Sequence, residues 1–160
     1  MYAVLKCLNC ERKKKVIVFS SMFGWKARVV GNMIKKEDYC TRKIIDSTAK
    51  ELENMTIGMN HLNNKISGCV ISCGVVYGMG EDMLFGQFKQ ALEQKCSLRI
   101  YGRGTNYIPT IHVDDLCQLA FDIAFSDGCA GLQLAVDHSN VTQRELVETI
   151  AKTLGNGKVD

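Results

Sequence analysis

Cys69-Val70-Ile71-Ser72-Cys73-Gly74-Val75-Val76-Tyr77 is the stretch on which the fold turns. It is apolar at nearly every position, with no alternation of inward and outward residues, and it ends at Gly78 and Gly80. A strand with that character needs cover on both faces, as in a parallel sheet clothed by helices. Lys15–Phe19 upstream repeats the pattern as KVIVF and closes on Ser20 and Ser21. Between the two runs, a helix is expected from about Tyr39 or Thr41 to Asn54, with Ile44, Ile45, Thr48 and Leu52 on one side. Asn60–Ser67 reads as a polar connection.

The same logic extends downstream. Asp82–Gln94 is amphipathic, with Asp82 placed to cap it. Leu98–Tyr101 reads as a short strand before the turn-rich Gly102–Asn106. Thr110–Val113 is another, followed by a helix to Phe125 capped by Asp114 or Asp115. Leu132–Val136 is a last strand, and Gln143–Leu154 a last helix, with Thr142 and Glu145 spaced as a capping box. Upstream of everything, residues 2–12 have helical spacing, and 25–38 show no clean period. Alternating buried strands and helices predict an α/β parallel sheet.

The 160 residues are enough for one domain, and the net charge of +3 points to neither nucleic acid nor membrane as a partner. The basic run Arg12–Lys15 reads as a solvated helix end. Eight cysteines is a high count, but Cys69, Cys73, Cys96, Cys117 and Cys129 lie in apolar surroundings, where a thiol packs as a small hydrophobe. Cys7-x-x-Cys10 has no second pair or spaced histidines to complete a zinc site, so no metal is expected. No segment resembles a signal peptide or a membrane span, so a reducing, cytoplasmic setting is expected. His61 and His138 are expected at the surface, and His112 half-buried.

Several of these stretches together resemble the extended short-chain dehydrogenase/reductase superfamily, the NAD-dependent epimerases and dehydratases. They are KVIVFSS (Lys15–Ser21), VVYG (Val75–Gly78), LRIYGRGTNYIPTIHVDDLCQLAFDIA (Leu98–Ala124) and VTQRELVETIAKTLG (Val141–Gly155). A closer resemblance is to the reductase-like region that precedes the kinase in a ciliary adenylate kinase. It is carried by FSSMFGW (Phe19–Trp25), EDYCTRK (Glu37–Lys43), GRGTNYIPTIHVDDL (Gly102–Leu116) and the pieces LAVD (Leu134–Asp137) and GNGKV (Gly155–Val159). The superfamily implies a partial Rossmann-like doubly wound sheet lacking its N-terminal dinucleotide-phosphate-binding strands. No G-x-G-x-x-G occurs, and no G-x-x-x-x-G-K-[ST] loop. The whole of 1–160 is then one partial NAD(P)-binding domain, of which about 79–160 includes a small substrate-side α/β subdomain.

The resemblance also implies a hydroxyl, a tyrosine and a lysine four residues beyond it as the catalytic set. Ser20 or Ser21 with Tyr39-x-x-x-Lys43 satisfies the pattern. The spacing is off: Tyr39 is 19 residues past Ser20 and Lys43 is 35 before Gly78. The family implies roughly 25 and roughly 28. A shift of seven restores both but places Asp46 and Lys50, and a carboxylate has no phenolic proton to exchange. Met22 stands where a further hydroxyl is common, and Ser72 and Val75 where arginine and asparagine are. Ser20, Lys50, Tyr77 and Gly78 are the candidate cofactor contacts. Two readings of this chain follow, with a third that concerns its parent polypeptide. In one, the chain is a non-catalytic module with no cofactor, docked among proteins of a ciliary or flagellar axoneme. In the other, it is half of an NAD(P)-dependent reductase using Ser21, Tyr39 and Lys43. A third assigns phosphoryl transfer to a kinase elsewhere in the parent polypeptide.

Overall fold

Ile66–Cys73 (β2) is the middle strand of a parallel sheet, and its burial explains its composition. Seven of its eight residues are buried, Cys69, Val70, Ile71 and Ser72 completely. The computed structural model describes residues 13–22, 47–61, 64–80, 83–94 and 97–160. Within them the chain forms two units.

The first unit (residues 1–73 and 117–135) holds the sheet in the order β1-β2-β5, with Lys14–Ser21 as β1 and Gly131–Ala135 as β5. Both pairings are parallel. Lys14 stands opposite Ile66 and Ser21 opposite Cys73, while Cys69 faces Gly131 and Cys73 faces Ala135. Helix α1 (Ser47–Gly58) and a short 3-10 turn (Met59–His61) connect β1 to β2. The helix ends four residues later than its apolar spacing predicts. Its inward side carries Glu53 and Thr56 rather than Thr48, which is exposed. Close approach explains this choice. A Cβ on Gly68 would lie 1.7 Å from the carbonyl oxygen of Thr56, so helix and strand nearly touch at their backbones. Thr56 turns its hydroxyl onto Leu52 O at 2.7 Å, which satisfies it inside the core. Met59 and Ile66 pack there with Val16.

Asn60, read from sequence as part of a polar connection, is a structural clamp. Its side-chain amide donates to Ile57 O and Gly68 O and accepts from Gly68 N, each at 2.9 Å. β2 therefore begins at Ile66, inside the stretch expected as loop. The basic run is also corrected. Lys14 and Lys15 open a strand, and Lys15 Nζ donates to Ile123 O at 2.6 Å and to Ser126 O. Those carbonyls end helix α3 (Val113–Phe125), where a cation complements the dipole. The lysine thus serves another helix's C-terminus. Among the described residues β1 has a strand neighbour on one side only, and Phe19 on it is 55% exposed.

The second unit comprises residues 74–116 and 136–160, so the unit boundary falls within α3. The apolar run 69–77 is divided at Gly74 into two strands of different sheets. Val75–Tyr77 (β3) pairs in parallel with Thr110–His112 (β4). A Cβ on Gly74 would lie 2.4 Å from Pro109 O, while Val75 N donates to that same oxygen at 2.7 Å. Helix α2 is Phe85–Glu93, shorter than expected, with Leu84 at its N-cap and no side-chain cap; Asp82 lies outside the described residues. Leu98 makes an isolated bridge to Val159 in place of a strand over 98–101. Helix α4 (Gln143–Leu154) has the expected bounds and the expected capping box. Val147, Ile150 and Ala151 on α4 pack with Ala91 and Leu98 to form this unit's core.

Candidate functional site

The residues named from sequence fall into two groups, one in each unit. In the first unit, Ser20 and Ser21 end β1, and Lys50 lies on an exposed position of α1. Ser20 donates its hydroxyl to Glu53 Oε1. Glu53 is only 5% exposed, so this bond ties a buried carboxylate to the strand end. Glu53 is invisible to motif reading because its task is set by where α1 packs. Tyr39, Lys43 and Asp46 lie outside the described residues, as do Cys7, Cys10 and Trp25.

In the second unit, Tyr77 closes β3, and Gly78 follows with φ +97°. Met79 and Gly80 continue in the left-handed region, at φ 53° and 80°. Three successive residues of that kind are a sharp, costly turn for which glycine is suited. A Cβ at Gly78 would meet His112 Nε2 at 2.4 Å, so the imidazole lies directly over this glycine. The Tyr77 ring meets His112 edge-on, with centroids 5.1 Å apart.

Behind the aromatic pair is a hydrogen-bonded carboxylate. Thr110 Oγ1 donates to Asp137 Oδ2 at 2.8 Å, and Ser139 N donates to Asp137 Oδ1 at 2.9 Å. The Ser139 hydroxyl also donates to Asp137. Burial alone pushes the Asp137 carboxyl up, but the bonds from Ser139, Thr110 and Tyr77 outweigh it and hold the group below the usual carboxylate range. Tyr77 moves the other way: burial, the charges of Asp137 and Asp115, and the bond to Asp137 raise its phenol above the ordinary tyrosine value. A phenol shifted upward is a poor proton exchanger near neutrality. The cluster is suited to hold a surface in shape.

Neither Asp114 nor Asp115 caps α3 as expected. Both lie inside its first turn, and the side chain that meets a free helix amide is that of His112, whose Nδ1 accepts from Asp114 N at 3.2 Å. His112 is half-exposed, and His61 and His138 are exposed. Cys69 and Cys73 are buried, and burial pushes the Cys73 thiol up to about 11; Cys117, expected in an apolar interior, is exposed. Among the described residues no cluster of histidine, cysteine or carboxylate side chains is arranged to hold a metal ion, and no helix is long and apolar enough to cross a membrane.

One surface was not anticipated. Along α3, Cys117, Phe121, Ala124 and Phe125 are all exposed, at the i, i+4, i+7, i+8 spacing of one helix face. Phe121 and Phe125 are 60% and 75% exposed, with ring centroids 4.5 Å apart.

No family model matches the sequence. Adenylate kinase 7 of Macaca fascicularis is 34% identical over 108 residues, covering 67% of this chain and 20% of that protein. Adenylate kinase 7 of Mus musculus is 31% identical over 160 residues, covering 93% of this chain and 26% of that protein. The chain thus spans about a quarter of the length of these curated relatives or less. In three dimensions it is similar to dTDP-glucose 4,6-dehydratase of Bacillus anthracis in complex with NAD, with a TM-score of 0.68 and 18% identity. That match covers 91% of this chain and 48% of the dehydratase. The UDP-glucose 4-epimerase of Thermotoga maritima with UDP-glucose also gives a TM-score of 0.68 at 18% identity, covering 88% of this chain and 47% of the epimerase. The partial Rossmann-like fold expected from the sequence is the fold observed.

Proposed function

The chain is a relative of adenylate kinase 7 with the fold of the NAD-dependent epimerases and dehydratases, and from that premise we propose that it is a non-catalytic, reductase-like docking module. Its setting is a ciliary or flagellar axonemal assembly, the one the sequence resemblance implies, and its partners are other proteins. The observation that carries the reading is the exposed stripe Cys117, Phe121, Ala124 and Phe125. Two large aromatic side chains, adjacent and on one helix face, are a costly surface to leave in water and a natural anchor for a partner.

The hydroxyls at the strand ends agree with it. Ser20 is engaged by Glu53, while Met22 replaces the further hydroxyl. Phosphoryl transfer, the activity named for the relatives, is assigned in this proposal to polypeptide outside the matched region. The second reading, an NAD(P)-dependent reductase half using Ser21 with Tyr39 and Lys43 or with Lys50, draws on the likeness to an enzyme solved with NAD.

One experiment separates them. The full-length parent is expressed with Phe121→Ser and Phe125→Ser together, and its retention on detergent-extracted axonemes is compared with wild type. Calorimetry with NAD(H) and NADP(H) runs alongside, including Lys43→Ala and Lys50→Ala. Docking predicts lost retention and no cofactor heat. Unchanged retention removes the stripe as the docking surface. Micromolar cofactor binding that disappears in one lysine variant replaces the proposal with the reductase.

A further inference from the structure

We propose that His112 is a pH-sensitive cap on helix α3, switching the first turn of that helix between two hydrogen-bonding states. The geometry is specific. His112 Nδ1 accepts the amide of Asp114, in the first turn of α3, at 3.2 Å. An unprotonated Nδ1 is required for that bond, so the neutral imidazole carries its proton on Nε2. The same Nδ1 lies 3.6 Å from Asp114 Oδ2. When the imidazole takes up a proton, Nδ1 becomes a donor. It then repels the Asp114 amide and the positive end of the helix, and attracts the Asp114 carboxylate.

The groups around the ring frame the switch. The Tyr77 ring on β3 meets the imidazole edge-on, and Gly78 closes the Nε2 side with no room for a Cβ. Asp114 and Asp115 supply negative charge from α3, and the Asp137 carboxylate adds negative charge on the Tyr77 side. Uptake of one proton by the imidazole is the change that drives the switch. The cap is intact on the alkaline side of that change. On the acid side the first turn of α3 loses its amide partner while Asp114 folds back onto the imidazolium. Because the Tyr77 ring and Gly78 hold the imidazole in place, the rearrangement falls on the helix start.

The test is amide hydrogen exchange by NMR on the 160-residue chain across the His112 titration, expressed as protection relative to the unstructured rate at each pH. The His112 Cε1 proton reports ring charge in the same samples. Asp114 amide protection is expected to fall about tenfold with the midpoint of the His112 signal, a typical loss for one helix cap. Val147 in α4 is the internal reference and stays protected. His112→Gln gives a profile without that step. Asp114→Asn keeps the step, because the backbone amide is the group released. Asp114 protection that is constant through the His112 titration overturns the switch. So does a step that survives in His112→Gln or vanishes in Asp114→Asn. If His112→Gln fails to fold, the wild-type and Asp114→Asn titrations decide.

Discussion

Replacing Gly68 by alanine tests the contact on which the first unit depends. The new Cβ would lie 1.7 Å from Thr56 O, 2.7 Å from Thr56 C and 3.2 Å from Thr56 Cγ2. Two of those atoms are helix backbone, and Thr56 is completely buried, so no flexible side chain can yield. The distance to Thr56 O must grow by about 1.7 Å, from 1.7 Å to the 3.4 Å at which ordinary contact begins, and helix or strand must retreat on that scale. If α1 retreats, the packing beneath Glu53 and Met59 opens. If β2 retreats, the reciprocal bonds between Gly68 and Asn60 break. Overpacking costs about 1–3 kcal/mol, and each lost hydrogen bond about 1 kcal/mol more. The expected destabilisation is therefore about 3–5 kcal/mol, a large part of a typical domain's stability. Gly58→Ala is the matched control. That glycine is the last residue of α1, with nothing within 4 Å of a Cβ, so alanine there is expected to stabilise by about 0.5–1 kcal/mol. Urea denaturation followed by far-ultraviolet circular dichroism compares the three proteins. A Gly68→Ala midpoint within error of wild type would refute the close approach of α1 to β2.

Three further outcomes are expected. Thr142→Ala removes the α4 cap, in which Thr142 Oγ1 accepts from Glu145 N at 3.2 Å and Glu145 Oε2 accepts from Thr142 N at 2.8 Å. About 1 kcal/mol should be lost in the same urea assay, and an unchanged midpoint would deny the capping box any energetic role. Asp137→Asn concerns pH. The folded carboxyl ionises below its unfolded value, so its contribution is present above about pH 4 and is lost as pH falls through the lower folded value. The gap in stability between wild type and variant should hold from neutral pH down to that range and then close. A gap that widens with acid contradicts the hydrogen-bonding scheme. In native protein treated with iodoacetamide near pH 8, peptide mass spectrometry should find Cys117 modified well before Cys73, whose thiol is buried and pushed up to about 11. Equal rates would show that β2 opens readily.

The sequence by itself determined the class of fold. The largely apolar runs at 16–19 and 69–73, with no alternation of inward and outward residues, read as parallel strands, and helical spacing between them leaves a parallel α/β sheet as the economical arrangement; burial on both faces holds for 69–73 alone, since β1 has no buried residue and Phe19 on it is exposed. It also determined helix α4 to its ends, because Thr142 and Glu145 form a cap from local groups alone. The site residues were legible only as types. The i, i+4 spacing names Tyr39 and Lys43, which lie outside the described residues, and says nothing of Glu53, which meets Ser20 33 residues away in the chain. What tertiary structure alone decided were contacts between distant segments. It divided one apolar run at Gly74 because Pro109 O comes within reach there. It gave Lys15 to the end of α3, turned Asn60 from loop into clamp, and made His112, not an aspartate, the cap on α3. The physical reason is common to all of them. A helix cap, a buried carboxylate or a close glycine is satisfied by whichever polar group the fold brings within about 3 Å, and local spacing does not encode that partner.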